Sequence, residues 1–184
     1  FVRGYSMFTQ ATLGPVWFAK GGSTRKPLPW GEAHKEYMKN NFAHNVSLVI
    51  LGEDLPSEEN RVTLDPGVVD SNGIPAPKIT YKMKENTLNL MNHGLARAED
   101  ILWAAGAYEV KKIGIMPIAL HLMGTARMGN DASRSVVNSW CQAHDVDNLF
   151  IADGSCFVTS GAVNPTHTIQ AIALRCAEYI VDTF

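Results

Sequence analysis

The chain has 184 residues, 46% of them hydrophobic, and a formal net charge of −2, which is enough apolar material for the core of one domain or two small ones and too much for a disordered chain. No cluster of Lys and Arg gives an electrostatic footprint for nucleic acid or an anionic membrane. No apolar run approaches the ~18 residues that a bilayer-spanning helix needs, so no membrane span is expected.

The opening FVRGYSMFTQ lacks the charged and then apolar pattern of an export leader, and no initiator Met stands at its head; the sequence assigns no compartment. Glycine and proline then punctuate the first third. LGPVW at 13–17, KGGS at 20–23 and KPLPWG at 26–31 read as loops between short elements. NVSLVILGEDLP alternates, with Val46, Leu48 and Ile50 on one face and Asn45 and Ser47 on the other, as a half-buried strand does. NRVTLDP and KITYKM predict two more strands, with the turn-rich GVVDSNGIPAP between them. Together the three imply an antiparallel sheet.

At Asn86 the period changes from two to three and four. Leu88, Met91, Leu95, Ala98, Leu102 and Ala105 predict an amphipathic helix over 87–105, with Asn86 as N-cap and Gly106 as its stop. YEVKKIGIM follows as a predicted strand and leads through Pro117 into HLMGTARMG at 121–129. The last helix is marked by Ile169, Ile172, Ala173, Cys176, Ala177 and Ile180 on one stripe. Asn164 stands where its N-cap belongs, and Pro165 at the first helical position, where a missing N–H costs nothing.

Such a helix start carries unpaired N–H groups and the positive end of the helix dipole, and so favours an anion, or a group that becomes one. The preceding NLFIADGS is strand-like and ends in Asp153-Gly154, which puts the helix mouth at an expected sheet edge, where ligands dock. The three cysteines, Cys141, Cys156 and Cys176, are too few and too irregular for a disulfide framework or a zinc knuckle, so free buried thiols are expected.

HLMGTARMG at 121–129, SVVN at 135–138, DNLFIADGSCF at 147–157 and NPTHTIQAIALRCAEYI at 164–180 together resemble the C-terminal signature of the glucose–methanol–choline (GMC) flavin oxidoreductases. Upstream, GEDLP at 52–56, NRVTLDP at 60–66, NGIPAPKITY at 72–81 and AAGA at 104–107 resemble the branch containing gluconate dehydrogenases and pyranose oxidases. The resemblance implies an α+β (mixed α/β) architecture. Residues 1–114 would supply an antiparallel-sheet substrate domain with helices, and 115–184 the C-terminal portion of an FAD-binding, Rossmann-like domain. It also implies FAD as cofactor and oxidation of an alcohol group of a sugar, sugar acid or polyol, by hydride transfer to flavin N5.

Residue by residue, His121 matches the family's active-site base and Asn164 its second active-site residue. Asp153 and Gly154 match the segment that approaches the FAD pyrophosphate and ribityl region, while Pro165 and Thr166, with Asn164, match the helix entry that faces the flavin ring. The chemistry agrees with that assignment. An imidazole, whose ordinary pKa lies near neutrality, suits removal of the hydroxyl proton, and an uncharged carboxamide suits holding the substrate oxygen in line. Arg127 and Met128 are expected to brace the loop after His121.

Other chemistries are weaker. His121, His144 and His167 lack metal-ligand spacing with carboxylate or thiolate support. Ser155 lacks the glycine-flanked elbow of a hydrolase nucleophile. No strand–GxGxxG–helix fingerprint occurs in the 184 residues, although the family carries one near its N-terminus. The chain therefore resembles the C-terminal part of a longer enzyme, with an N-terminal FAD-binding portion as its missing partner and a weak grip, or none, on FAD when alone. The electron acceptor (oxygen, a quinone or a cytochrome) is not readable from these residues. The competing reading is a non-catalytic partner or binding module that kept the shape and lost the flavin.

Overall fold

A computed structural model describes residues 1–10, 14–21, 30–116 and 120–183. The described elements run β1 (Tyr5–Gln10), α1 (Gly14–Ala19), α2 (Glu32–Asn41), β2 (Ser47–Gly52), β3 (Arg61–Val69), β4 (Pro75–Thr80), α3 (Glu85–Ala104), a single 3-10 turn (Gly154–Cys156) and α4 (Thr166–Thr183). This mixture of helices and small antiparallel sheets is the expected α+β class. The chain gathers into two compact units, one made of Val2–Gly52 and Asn89–Met116, the other of Phe1, Glu53–Leu88 and Pro117–Phe184.

In the first of these units the alternating run gives a strand, β2, over Ser47–Gly52, half-buried along its length, with Asn45 and Val46 left ahead of it. Its partner is β1, antiparallel, from Tyr5 opposite Gly52 to Gln10 opposite Ser47. The body of α3 lies against this ribbon through two glycines. A Cβ on Gly52 would come within 2.7 Å of Leu90 Cδ2, and one on Gly94 within 3.0 Å of Ile50 Cγ2. Gly in a helix interior costs roughly 1 kcal/mol relative to Ala; Gly94 lets Ile50 come close, and Gly52 makes room for Leu90, which is completely sealed from solvent. One loop expected near the N-terminus differs from expectation. Residues 14–17 of LGPVW enter α1, because Pro15 falls in the first helical turn, where it is tolerated. Of KGGS, residues 20 and 21 close a turn after α1, while 22–29, and with them most of KPLPWG, lie outside the described residues.

The helix expected at 87–105 is α3, and it begins two residues earlier. The Lys84 carbonyl accepts from Leu88 N–H at 3.0 Å, so Asn86 lies inside the first turn instead of capping it. Gly106 does end the helix, with φ +86 and with Ala107 N–H bonded back to the Leu102 carbonyl, a left-handed C-terminal stop that glycine adopts without strain. YEVKKIGIM forms no strand. Tyr108, Ile113 and Met116 are at least half exposed, and an extended segment with no partner to complete its backbone hydrogen bonds is not a strand.

In the second unit β3 and β4 form a hairpin, from Arg61 opposite Thr80 to Val69 opposite Pro75, with a bulge between Asp65 and Val69. Pro66, which has no N–H to give the ladder, falls within that irregular stretch. The turn is shorter than GVVDSNGIPAP suggested: the Asp70 carboxylate accepts from the amides of Asn72 and Ile74 at 2.8 and 2.9 Å, an Asx-type closure that leaves Gly67 to Val69 in the strand. The predicted single sheet is thus two separate ribbons, β1-β2 and β3-β4; an apolar–polar pattern within a strand does not select its partner.

The core of this second unit collects Val137, Cys141, Cys156 and Cys176, packed on by Met128, Phe150, Ile151, Ala152, Ile172 and Ile180. The cysteines are free and buried, as expected. Between 120 and 164 the chain is held by isolated bridges, Met128 to Val137, Val137 to Ala143 and Gln142 to Phe150. The strand-like NLFIADGSCF contributes one of these bridges and the 3-10 turn, with no continuous ladder among the described residues. No described helix is long and apolar enough to cross a membrane.

Candidate active site

All of the residues singled out for chemistry lie in the second unit. The 121–129 motif runs beside the 3-10 turn, donating from alternate amides to consecutive carbonyls: Gly124 to Gly154 at 3.3 Å, Ala126 to Ser155 at 2.9 Å and Met128 to Cys156 at 2.8 Å. On its other side Val136 N–H reaches the Arg127 carbonyl and Gly129 N–H the Val137 carbonyl, both at 2.9 Å. The Arg127 Nε donates to the Arg134 carbonyl at 2.7 Å, and Met128 packs on the cysteine core, so both residues brace the loop in the way the motif suggested.

His121 stands at the open end of this segment. It is exposed, its backbone takes the left-handed conformation with φ 58, and it makes no hydrogen bond to a described residue. A non-glycine residue held there is uncommon, and it turns the chain sharply just before the braced run.

The turn at 153–156 is built by Asp153, whose Oδ1 accepts from Ser155 N–H at 2.7 Å. The Ser155 hydroxyl, together with that amide, holds the Asp153 carboxyl below the usual carboxylate range. Gly154 then sits in a narrow place. A Cβ there would lie 3.4 Å from Ile169 Cδ1 and 3.4 Å from the Leu122 carbonyl oxygen, so the residue after His121 and the first turn of α4 meet across one glycine.

At the mouth of α4 the sequence reading needs one correction. The first helical acceptor is the Pro165 carbonyl, which takes Ile169 N–H at 3.0 Å, and α4 starts at Thr166. Asn164 is therefore one residue outside the capping position, and its exposed carboxamide bonds no described residue. Pro165 itself occupies the capping position. Thr166, His167 and Thr168 are exposed in the first turn, and their amides have no acceptor among the described residues, as helix starts leave them. His121 and Asn164 share no hydrogen bond; what joins their segments is Gly154.

Two features went unread in the sequence. Asp54, in GEDLP, accepts from Tyr81 Oη at 2.8 Å and from the hydroxyl of buried Thr87, and its carbonyl accepts from Ser160 Oγ at 3.3 Å. Their sequence separations, up to 106 residues, leave no local pattern to find. The second is an aromatic stack on α4: Trp140 lies parallel to Tyr179 at 4.9 Å, with the Arg175 guanidinium carbon 4.3 Å from the Trp140 ring centre. His144, considered above as a ligand, is bonded through Nε2 to Ser135 Oγ at 2.9 Å. Among the described residues no group of His, Cys, Asp and Glu is arranged to hold a metal ion.

Comparison with known proteins bears on this geometry. The family model described as GMC oxidoreductase matches residues 56–173. The chain is similar to the 2-methyl-1,2-propanediol dehydrogenase of Mycolicibacterium austroafricanum, with 42% identity over 100% of this chain and 34% of that protein. It is 34% identical to the fructose dehydrogenase large subunit of Gluconobacter japonicus, over 83% of this chain and 28% of that one. With the pyranose 2-oxidase of Tricholoma matsutake it shares 32% identity over 74% of this chain and 26% of that one. The chain thus spans about a third or less of the length of these relatives.

Proposed function

The chain belongs to the GMC oxidoreductase family, and on that premise we propose that it is the C-terminal part of an FAD-dependent enzyme that oxidises an alcohol group of a sugar, sugar acid or polyol. In this reading residues 1–114 serve the substrate side and 115–184 complete the FAD-binding domain. The observation that carries it is the meeting of Leu122 and Ile169 across Gly154, which brings the segment begun by His121 to the start of α4.

The residues fit a flavin in two respects. The amides of Thr166, His167 and Thr168 are free to donate, and the Asp153 carboxylate is exposed. Asp153, Gly154, Asn164, Pro165 and Thr166 would hold the cofactor. Bound FAD would supply the hydride acceptor, N5 of its ring.

The chain's own residues would do the rest. His121, exposed and without a competing partner among the described residues, takes the proton of the substrate hydroxyl as the C–H bond breaks. Asn164, released from capping, donates an amide N–H to the same oxygen and keeps it in line. The start of α4 faces developing negative charge with unpaired amides and the positive end of the helix dipole.

The test is the full-length protein that carries this chain. It should purify with the visible absorption bands of oxidised flavin, and those bands should bleach on anaerobic mixing with at least one of 2-methyl-1,2-propanediol, fructose or glucose. His121→Ala should slow that bleaching by ~10²-fold; an unchanged rate removes His121 as the base. The 184 residues alone, which lack a glycine fingerprint, should bind FAD weakly or not at all.

A further inference from the structure

Residues 158–164 link the 3-10 turn to α4 and end in Asn164. Upstream, the last fixed backbone point is Phe157 N–H, bonded to the Gly154 carbonyl at 3.3 Å; downstream, the first is the Pro165 carbonyl that opens the helix. Between them the segment makes a single hydrogen bond to described residues, from Ser160 Oγ to the Asp54 carbonyl. The neighbouring Thr159 hydroxyl is buried with no partner among the described residues, and a Cβ at Gly161 would meet nothing closer than Val163 at 3.8 Å. Among the described residues no other polar contact, and no tight packing at Gly161, steadies the approach to Asn164.

The far end of that one tie is rigid. Asp54 is fixed by two hydroxyl donors on its carboxylate, Tyr81 and Thr87, and Thr87 is only 4% exposed. A carboxylate accepting two hydroxyls in a partly buried site holds its own backbone in place, and charge-assisted bonds of this kind are stronger than neutral ones.

We infer that Ser160 is a positioning residue for the proposed oxidation: its hydroxyl, anchored on Asp54, sets the place from which Asn164 reaches the substrate oxygen. The inference rests on the role proposed for Asn164. Pro165 restricts Asn164 from the helix side, and Ser160 shortens the free span on the other side from seven residues to the four of 161–164. Displacements of about 1 Å at an orienting group cost up to ~10²-fold in rate, so a tether of this kind matters more to catalysis than to folding.

Four variants of the full-length flavoprotein test it: Ser160→Ala, Ser160→Thr, Asn164→Ala and the double variant Ser160→Ala/Asn164→Ala. Amide hydrogen exchange needs no substrate. Ser160→Ala should speed exchange in residues 158–164 while the melting temperature and the rest of the chain hold, and Ser160→Thr, which keeps the hydroxyl, should restore the slow exchange. Unchanged exchange in Ser160→Ala overturns the tether. With the alcohol of the panel above that bleaches the flavin fastest, Ser160→Ala should slow flavin reduction ~10-fold at saturating substrate, with less than additive loss in the double variant. A normal rate in Ser160→Ala beside a slowed Asn164→Ala, or strictly additive losses, overturns the positioning role and leaves the reading of Asn164 standing. A normal rate in Asn164→Ala overturns that reading, and the positioning role with it.

Discussion

Gly124 donates its backbone N–H to the carbonyl of Gly154 at 3.3 Å, and this bond begins the ladder that lays the 121–129 motif along the 3-10 turn. Both partners are glycines for separate reasons. Gly154 is squeezed between Leu122 and Ile169, whereas Gly124 has φ +85 and would drive a Cβ to 3.2 Å from the Phe157 carbonyl oxygen. Chirality and crowding therefore act together at Gly124.

Gly124→Ala should lower stability by about 1–3 kcal/mol, the cost of holding a side chain in the left-handed region, and should loosen the loop behind His121. Gly161→Ala is the control, since it meets nothing closer than 3.8 Å. Thermal melting of the two variants side by side checks the claim. Equal melting temperatures would show that the 121–129 loop relaxes around the added methyl.

The three cysteines come from a tight turn, the 3-10 turn and α4, and meet in one core. Burial pushes the Cys141 thiol up to about 12, with Cys156 and Cys176 beside it adding to the effect, and burial raises Cys156 as well. The thiolate is the reactive form. Iodoacetamide at pH 8 should therefore leave Cys141 and Cys156 unmodified in the folded protein and label them on addition of denaturant, as mass spectrometry of the peptides would report. Prompt labelling of the native protein would mean that this core opens on the experimental timescale.

Legibility in the sequence follows the range of the interactions. α3 and α4 are visible because their stripes repeat every three or four residues, a local property, and the stop at Gly106 is a local backbone preference. The β2 alternation is equally visible, but its pairing with Tyr5–Gln10 is not, since nothing within 45–51 specifies a partner 37 to 47 residues away. YEVKKIGIM has strand composition and no strand to pair with. At the candidate site, the resemblance to the GMC signature leads to His121, Asp153, Gly154 and Asn164, yet the Ser160–Asp54 tie depends on packing between segments far apart in the chain.

Trp140 should be a stabilising contact for α4. Its ring stacks on Tyr179, which in turn meets Phe150 at a tilted 6.3 Å, and the Arg175 guanidinium lies 4.3 Å from the centre of the same ring. Stacked aromatic pairs add ~0.5–1.5 kcal/mol beyond burial, and a cation over an exposed indole adds ~0.5–1 kcal/mol. Trp140→Ala should therefore cost more than the cation contact alone, with Trp140→Phe intermediate and Arg175→Ala smallest. A loss in Arg175→Ala equal to that in Trp140→Ala would assign the effect to the cation instead of the stack.

Alkaline pH offers a separate test of the Asp54 anchor. Burial, followed by the hydrogen bond to Asp54, raises the Tyr81 phenol from 10.0 to about 12, and burial raises Cys141 from 9.0 to about 12. Both groups lose a proton more readily in the unfolded chain. Their contributions are thus complete below the unfolded values and are withdrawn as pH climbs, from 9 for the thiol and from 10 for the phenol, toward 12. The melting temperature should hold between pH 7 and 8.5, begin to fall above 9 and fall more steeply above 10. Tyr81→Phe should melt lower at pH 7, since Asp54 Oδ2 loses a donor worth about 1 kcal/mol, and should remove the steeper part above pH 10 while leaving the thiol-dependent part. If Tyr81→Phe melts like the parent at pH 7 and keeps the full alkaline slope, the phenol is not held by Asp54, and the rigid end of the Ser160 tie is lost with it.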